Sequence, residues 1–445
     1  MNALEPLNVL LITDVFPPGS GGSGWSTYYL GTALQERGHS VSVLRPRYDL
    51  PVVRPARRVV EYRGLMVEEI LVPEPPRWAL KLGLRKALGE AIAQRALTAR
   101  AYATARATQP IILHGQHALS AVAASRGANR ARRTGVHVAS VATIRDYWPL
   151  CPTSTRLFTS ASGTDFECSE CHRFRPYLGC VRSSRGGRSL PRQARYGARW
   201  LRTLRASRQL VACDAVIAVS NYVRRELAGS GRVPPAKLVT IPNLVDLPSV
   251  QSALDGTWPL HDISPEAPFL LFAGKLDSNK GAQLLPGVLA DAGVDLPLVV
   301  AGDGPLKPAL SAAAAAHGLD FRFCDWLDND AVLLLMSRAR GLLFPSAWQE
   351  PLSRVLLEGC AAGAAIVALD AGGTSDILAH GQSGWLAHNH EDFVSGIREV
   401  VRNDDLNVRL RAGAQRRAEE AFSAPVVSAK VEALYIKLLD SSVGR

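Results

Sequence analysis

The segment Pro345-Ser346-Ala347-Trp348-Gln349-Glu350-Pro351-Leu352-Ser353-Arg354-Val355-Leu356-Leu357-Glu358-Gly359 joins an apolar run, 341–344, to an amphipathic one, 351–362. It therefore reads as a strand passing into a helix. Proline is favoured at the first helical position, so a helix opening at Pro351 would put Glu350 at its N-cap and Glu358 about two turns along. Leu352, Val355, Leu356 and Leu357 give Glu358 apolar surroundings, where a merely solvated carboxylate is not expected. A carboxylate accepts two hydrogen bonds and suits a vicinal diol such as a ribose; the competing reading is a surface glutamate on a half-exposed helix.

The same unit recurs on either side. Downstream, Gly372-Gly373-Thr374-Ser375-Asp376 follows a strand ending near Leu369. Upstream, Phe272-Ala273-Gly274-Lys275-Leu276-Asp277-Ser278-Asn279-Lys280-Gly281 again lies between strand and helix. Two ammonium groups, Lys275 and Lys280, repel at close range unless an anion lies between them, and a diphosphate would satisfy both; two solvated lysines is the plain alternative. Near the N-terminus, Asp14-Val15-Phe16-Pro17-Pro18-Gly19-Ser20-Gly21-Gly22-Ser23-Gly24 leaves a strand and opens a helix, where free N–H groups and the dipole favour an anionic group.

Between these loops apolar runs alternate with amphipathic segments. Strands are expected at 8–13, 40–44, 110–114, 136–143, 215–219, 269–273, 297–301, 341–344 and 365–368. Helices are expected at 25–37, 79–106, 116–133, 190–208, 281–291, 305–317, 351–362, 391–403 and 424–440. That alternation makes parallel sheets flanked by helices, and the prolines of 233–248 read as a linker between two α/β domains. Ligands in such sheets bind beyond the carboxyl ends of the strands, where all these loops lie.

The 445 residues, 47% hydrophobic and 20% charged, are those of a globular chain of two domains. Residues 1–250 carry 35 Lys+Arg against 16 Asp+Glu, and the remainder 16 against 24, so an anionic surface would be met by the first half. A strand-like run begins within ten residues of Met1, and no apolar stretch approaches the roughly 20 residues of a membrane helix; a cytoplasmic protein is expected.

Taken together and in order, these motifs resemble glycosyltransferase family 4, the retaining enzymes of GT-B fold, over nearly the whole chain. The carrying residues are the Asp14–Gly24 loop, Ser220-Asn221-Tyr222-Val223, Ile241-Pro242-Asn243 with Val245-Asp246, Gly274–Gly281, Ala301-Gly302-Asp303-Gly304-Pro305-Leu306, the Glu350/Glu358 pair, Gly372-Gly373 and Gly381–Leu386. The resemblance implies two Rossmann-like doubly wound domains facing a cleft: 1–245 on the acceptor side, with an insertion at 147–190, and 246–423 for the nucleotide sugar. Helix 424–445 would return to the first domain. It implies that Lys275 and Lys280 neutralise the donor diphosphate, Glu350 faces the sugar, and Glu358 binds the ribose. Gly21, Gly22, Gly274, Gly372, Gly373 and the backbone of Leu352 and Ser353 would complete the donor site. Electrostatic stabilisation of the leaving group plus orientation would drive a front-side transfer, with no cofactor required. The acceptor would be a surface polysaccharide or lipid-linked glycan.

Three positions depart from the family pattern: Lys275 stands where Arg is usual, Ser353 where glycine is, and Arg145 where histidine contacts the donor sugar. Arg145, followed by Asp146, suits a carboxylate or phosphate, and His114 and His117 are candidates to substitute for the missing histidine. Two other functions remain open on these departures: a nucleotide-sugar epimerase or hydrolase of the same fold, and a weakly catalytic membrane-associated partner protein.

Cys151, Cys168, Cys171 and Cys180 fall in the insertion and suit a tetrahedral structural zinc site, with four thiols as the rival reading. From Arg182 to Arg208 there are nine arginines and no acidic residue, with Arg188, Arg192, Arg195, Arg199 and Arg202 on one helical face. Such a face beside Trp200 suits an anionic membrane, and a solvated surface is the plain alternative. No recognition module for nucleic acid is present in the sequence.

Overall fold

The structure, a computed structural model, describes residues 5–75, 85–159, 165–168 and 190–441. The chain divides into two compact units, Met1–Pro242 with Ser428–Arg445, and Asn243–Val427.

Unit 1 is built in chain order from β1 (Asn8–Ile12), α1 (Gly22–Glu36), β2 (Ser40–Arg47), β3 (Ala56–Tyr62), β4 (Leu65–Leu71), α2 (Arg85–Ala107), β5 (Ile111–Gly115), α3 (Ala118–Arg132) and β6 (Val138–Ile144). The small hairpin β7 (Leu157–Thr159) and β8 (Asp165–Glu167) follows, then α4 (Leu190–Leu210), β9 (Ala215–Ala218), α5 (Asn221–Gly229) and β10 (Leu238–Thr240). The sheet runs β10-β9-β6-β5-β1-β2-β4-β3. All its pairs are parallel except β3 with β4. Every residue of β5 and β6 is buried, as expected for parallel strands covered on both faces. The chain winds outward from β1 in one direction and from β5 in the other, so the strand order reverses between them.

Unit 2 has a wholly parallel sheet of order β13-β12-β11-β14-β15-β16. Its elements are α6 (Leu247–Leu254), β11 (Leu270–Ala273), α7 (Leu285–Ala292), β12 (Leu298–Ala301), α8 (Lys307–Ala316), β13 (Phe321–Phe323), α9 (Asn329–Arg338) and β14 (Gly341–Phe344), followed by α10 (Arg354–Ala361), β15 (Ile366–Leu369), α11 (Thr374–Ile377), β16 (Trp385–Ala387), α12 (His390–Arg402) and α13 (Asp404–Arg417). Leu270, Phe272, Leu285, Val300, Leu343, Phe393 and Ile397 form its core between sheet and helices. Here the order reverses between β11 and β14. In each unit most of the loops singled out by sequence leave the two strands that flank this reversal, the place where open α/β sheets bind ligands, while the Gly372-Gly373 loop leaves the next strand, β15, and the Arg145 loop leaves β6.

Three differences from the sequence reading have physical causes. Strands β3 and β4 carry Arg57, Arg58, Glu61, Glu68 and Glu69 and lack a continuous apolar run. They pair antiparallel through a two-residue turn, Arg63-Gly64, with φ 48° and 83°. The segment 233–248 is not a bare linker, because β10 within it pairs with β9 as the sheet edge. Helix α10 starts at Arg354, not Pro351, because the Ser353 hydroxyl accepts the Leu356 N–H and makes Ser353 the N-cap. Glu350 is therefore in the preceding loop, and Glu358 lies just over one turn into the helix. Helix α14 (Ala424–Asp440) spans the expected residues, and from Ser428 onward it belongs to unit 1.

Candidate active site

Unit 2 brings the three C-terminal loops together by direct bonds. Lys280 Nζ donates to Glu350 Oε1 at 2.6 Å, joining the loop after β11 to the loop after β14. Ser346 Oγ donates to the Asn279 carbonyl at 3.0 Å and lies 3.2 Å from Glu350 Oε1. The loop after β15 is fixed by the Gly372 N–H on Gln349 Oε1 at 2.6 Å and the Gly373 N–H on the Glu350 carbonyl at 2.7 Å. Glycine is required where these loops touch. Gly281 (φ +70°) would place a Cβ 1.9 Å from the Pro345 carbonyl oxygen, and Gly372 (φ +63°) would place one 2.4 Å from that of Glu350.

Both glutamates are largely buried, Glu350 at 5% and Glu358 at 8% exposed, and each has a cation. Glu350 has Lys280; Glu358 Oε1 accepts from Arg354 Nη2 at 2.7 Å and Nε at 3.1 Å. Both Arg354 donors take the same oxygen. Lys275 is mostly exposed, and its ammonium lies 3.1 Å from Asp277. Each lysine thus already has a carboxylate, which corrects the picture of two ammonium groups balanced only by an anion. Leu352 and Ser353 are buried in the turn before α10, and Gly274, with φ +148°, ends β11.

In unit 1, Asp14 leaves β1 and accepts the N–H groups of Leu119 and Ser120 at 3.0 and 2.9 Å, which fixes the start of α3. Burial pushes the Asp14 carboxyl up to about 6 against the opposing pull of those hydrogen bonds. His117, the N-cap of α3, receives the Asp14 N–H on Nδ1 at 3.4 Å. A backbone N–H can only donate, so the neutral ring carries its proton on Nε2. Burial, helped by the charge of Arg145, pushes the His117 imidazole down to about 3. Arg145 Nη1 donates to the Gln116 carbonyl at 3.2 Å. Asp146 accepts the Trp148 N–H at 2.7 Å, and burial pushes its carboxyl up to about 6. Gly21 caps α1 with Gly22 as the first helical residue, and a Cβ on Gly21 would meet nothing within 4 Å.

His114 is structural rather than a substitute contact. It is fully buried, with Nδ1 2.6 Å from the Tyr435 hydroxyl and Nε2 2.6 Å from Thr143 Oγ1. Sequence reading missed Gln116, Trp148, Gln349 and Arg354. Gln116 lies between His114 and His117, which are stronger candidates by residue type, and Arg354 reads as one more charge on an amphipathic helix.

Cys171 and Cys180 lie outside the described residues, as do Arg182 and Arg188. Cys151 is buried with Sγ 3.0 Å from Thr153 Oγ1. Among the described residues no group of three metal-ligating side chains occurs. On α4, Arg202 pairs with Glu90 of α2 and so faces the fold, whereas Arg199 is exposed. No helix of the described residues is long and apolar enough to cross a membrane.

Comparison with known proteins agrees with this geometry. Residues 20–248, more than half of the chain, match the model of Glycosyltransferase Family 4, and residues 260–417 match that of Glycosyl transferases group 1. The glycogen synthase of Mycobacterium tuberculosis is 26% identical over 93% of this chain and 89% of its own length. Among solved structures, Alr3699/HepE of Anabaena, in complex with UDP, superimposes with a TM-score of 0.64 at 16% identity, covering 97% of this chain and all of that one. The catalytic domain of starch synthase IV from Arabidopsis thaliana, bound to ADP and acarbose, gives 0.65 at 16% identity over 98% of this chain and all of its own. Two α/β units with parallel sheets and matches of this extent identify a GT-B glycosyltransferase, and the chain belongs to glycosyltransferase family 4.

Proposed function

We propose that the enzyme moves a hexose-type sugar, with retention at the anomeric carbon, from a nucleoside-diphosphate sugar to a polysaccharide or lipid-linked glycan. The Lys280–Glu350 pair, tying two loops at the strand-order reversal of unit 2, is the observation that carries this reading. The Lys280 and Lys275 ammonium groups neutralise the departing diphosphate, Glu350 faces the sugar, and the Gly274 and Gly372-Gly373 backbones allow close approach. Arg354 occupies one oxygen of Glu358, and the other accepts a ribose hydroxyl. The anomeric carbon–phosphate oxygen bond breaks as the bond to the acceptor oxygen forms, and a donor phosphate oxygen takes the acceptor proton. Fixed charges that meet the leaving group supply most of the barrier reduction.

The substrates of related proteins support the substrate classes. UDP and glucose occupy the Anabaena structure. A Campylobacter jejuni relative, 26% identical over 46% of this chain, is named for transfer to a diphospho-undecaprenol-linked sugar. Contact of α4 with an anionic membrane at the cytoplasmic face, and a zinc ion on the four insertion cysteines, belong to the same proposal.

Incubation with UDP-, ADP- and GDP-sugars, with and without a lipid-linked glycan extract, tests it. Nucleoside diphosphate released only with the extract supports transfer. Release or isomerisation without it supports the hydrolase or epimerase, and binding of no nucleotide sugar supports the non-catalytic partner.

A further inference from the structure

Several buried polar atoms of unit 1 have no hydrogen-bond partner among the described residues, and they gather at one edge of the sheet. They are both amide atoms of Gln116, Nε2 of His117, the indole nitrogen of Trp148 and the hydroxyl of Ser20. Gln116 is 1% exposed and Trp148 6%. These residues follow β5, β6 and β1, three strands adjacent in the sheet. Hydrogen bonds tie the loops together: Arg145 to the Gln116 carbonyl, and Asp14 and Thr13 to the His117 ring. A buried amide with neither donor nor acceptor satisfied is strongly disfavoured, and a fold retains one where a ligand or an ordered water completes it.

We propose that the Gln116 carboxamide, the His117 Nε2–H and the Trp148 indole N–H form a subsite for the hydroxyl groups of an uncharged sugar. Donors and an acceptor there follow the ends of adjacent strands, a mix that matches hydroxyl groups, each of which both gives and takes a hydrogen bond. Charge argues against an anionic sugar. The Asp146 carboxyl feels both the Arg145 guanidinium and the Asp14 carboxyl, so one cation is set against two acids, and Arg145 Nη1 is engaged by the Gln116 carbonyl. The inference rests on the transferase reading only for the sugar's identity as substrate.

Gln116→Met tests it, because the substitution keeps the volume and removes both unpartnered atoms. The melting temperature of the full chain should rise by a few degrees. Methyl glycosides of neutral hexoses at tens of millimolar should raise the melting temperature of the original protein and not of the variant. Methyl glucuronide should protect less, and the shift given by UDP, ADP or GDP should be the same in both proteins. A lower melting temperature for Gln116→Met, equal protection of both proteins by neutral glycosides, or stronger protection by the glucuronide overturns the proposal. Trp148→Phe, which removes only the N–H, is read the same way if the first variant does not fold. A nucleoside diphosphate that shifts neither protein, with glycoside protection intact, overturns the donor-site reading and leaves this subsite standing.

Discussion

Lys280 lies 2.6 Å from a carboxylate that is itself 7% exposed at its side chain, so a diphosphate that takes the lysine must share it with Glu350. Removing the lysine alone leaves Glu350 buried without its cation. Lys280→Ala should therefore cost about 1–3 kcal/mol of stability and lower turnover about 100-fold or more. The double variant Lys280→Ala/Glu350→Gln should recover the stability and none of the turnover. Glu358→Gln should weaken nucleoside diphosphate binding about tenfold, read by calorimetry, with turnover at saturating donor changed much less. Unchanged kinetics in both would remove the site assignment. Asp146 gives a pH test. Its folded-state carboxyl titrates near 6 against 3.8 for the free side chain, so the fold disfavours its charged form. That favourable contribution is present below the unfolded value and is lost as pH rises through the folded one. Relative to the original protein, Asp146→Asn should gain roughly 2–3 kcal/mol between pH 4 and pH 7 in denaturant titrations. A flat difference across that range would show that Asp146 is solvated.

At the scale of elements, α14 is held to unit 1 by polar side chains spaced along one face. Tyr435 meets His114, Glu432 Oε1 lies 2.8 Å from His39 Nε2 and its other oxygen pairs with Arg37, and the Leu439 carbonyl lies 3.1 Å from the His137 ring. Val431, Tyr435 and Leu439 recur every four residues and are buried. The hydrogen bond from Arg37, with His39 beside it, holds the Glu432 carboxyl below the usual range. Its contribution is present above the unfolded carboxylate value and lost as pH falls through the folded one. Tyr435→Phe should cost about 1–3 kcal/mol by leaving a buried ring nitrogen unpaired, and Glu432→Ala about 3–5 kcal/mol, both measured by urea unfolding at pH 7. Losses under 0.5 kcal/mol would mean that the helix docks by its apolar residues alone. The position of α14 was legible because its apolar period is long and regular. The hairpin of β3 and β4 was not, because pairing between Arg58 and Glu69 across the strands replaces the alternation of apolar residues. The start of α10 was misplaced for a similar reason: Pro351 and Ser353 are both good starting residues, and only the hydroxyl's bond to Leu356 decides between them. The meeting of the unit 2 loops was legible because they are marked by glycine and lysine. The proposed unit 1 subsite was only partly so, because an unsatisfied amide such as that of Gln116 has no sequence signature.

For the whole molecule, charge would separate the two proposed binding tasks. The first 250 residues carry a large basic excess, and the remainder, which holds the lysine loops, is acidic on balance. On the proposed function, a diphosphate approaching unit 2 would gain little from the long-range field and would be bound by short contacts, which salt screens weakly because they are partly buried. An anionic surface meeting unit 1 relies on many exposed arginines, whose attraction falls steeply once the Debye length shrinks to a few ångströms. Nucleoside diphosphate affinity should therefore change no more than about threefold between 0.05 and 0.5 M salt, read by calorimetry. Sedimentation with phosphatidylglycerol vesicles should bring the protein down at the lower salt and lose it at the higher, with phosphatidylcholine vesicles inert throughout. Nucleotide affinity that fell as steeply as vesicle binding would mean that the basic first half gathers the diphosphate. The lysines of the β11 loop would then be ordinary solvated side chains.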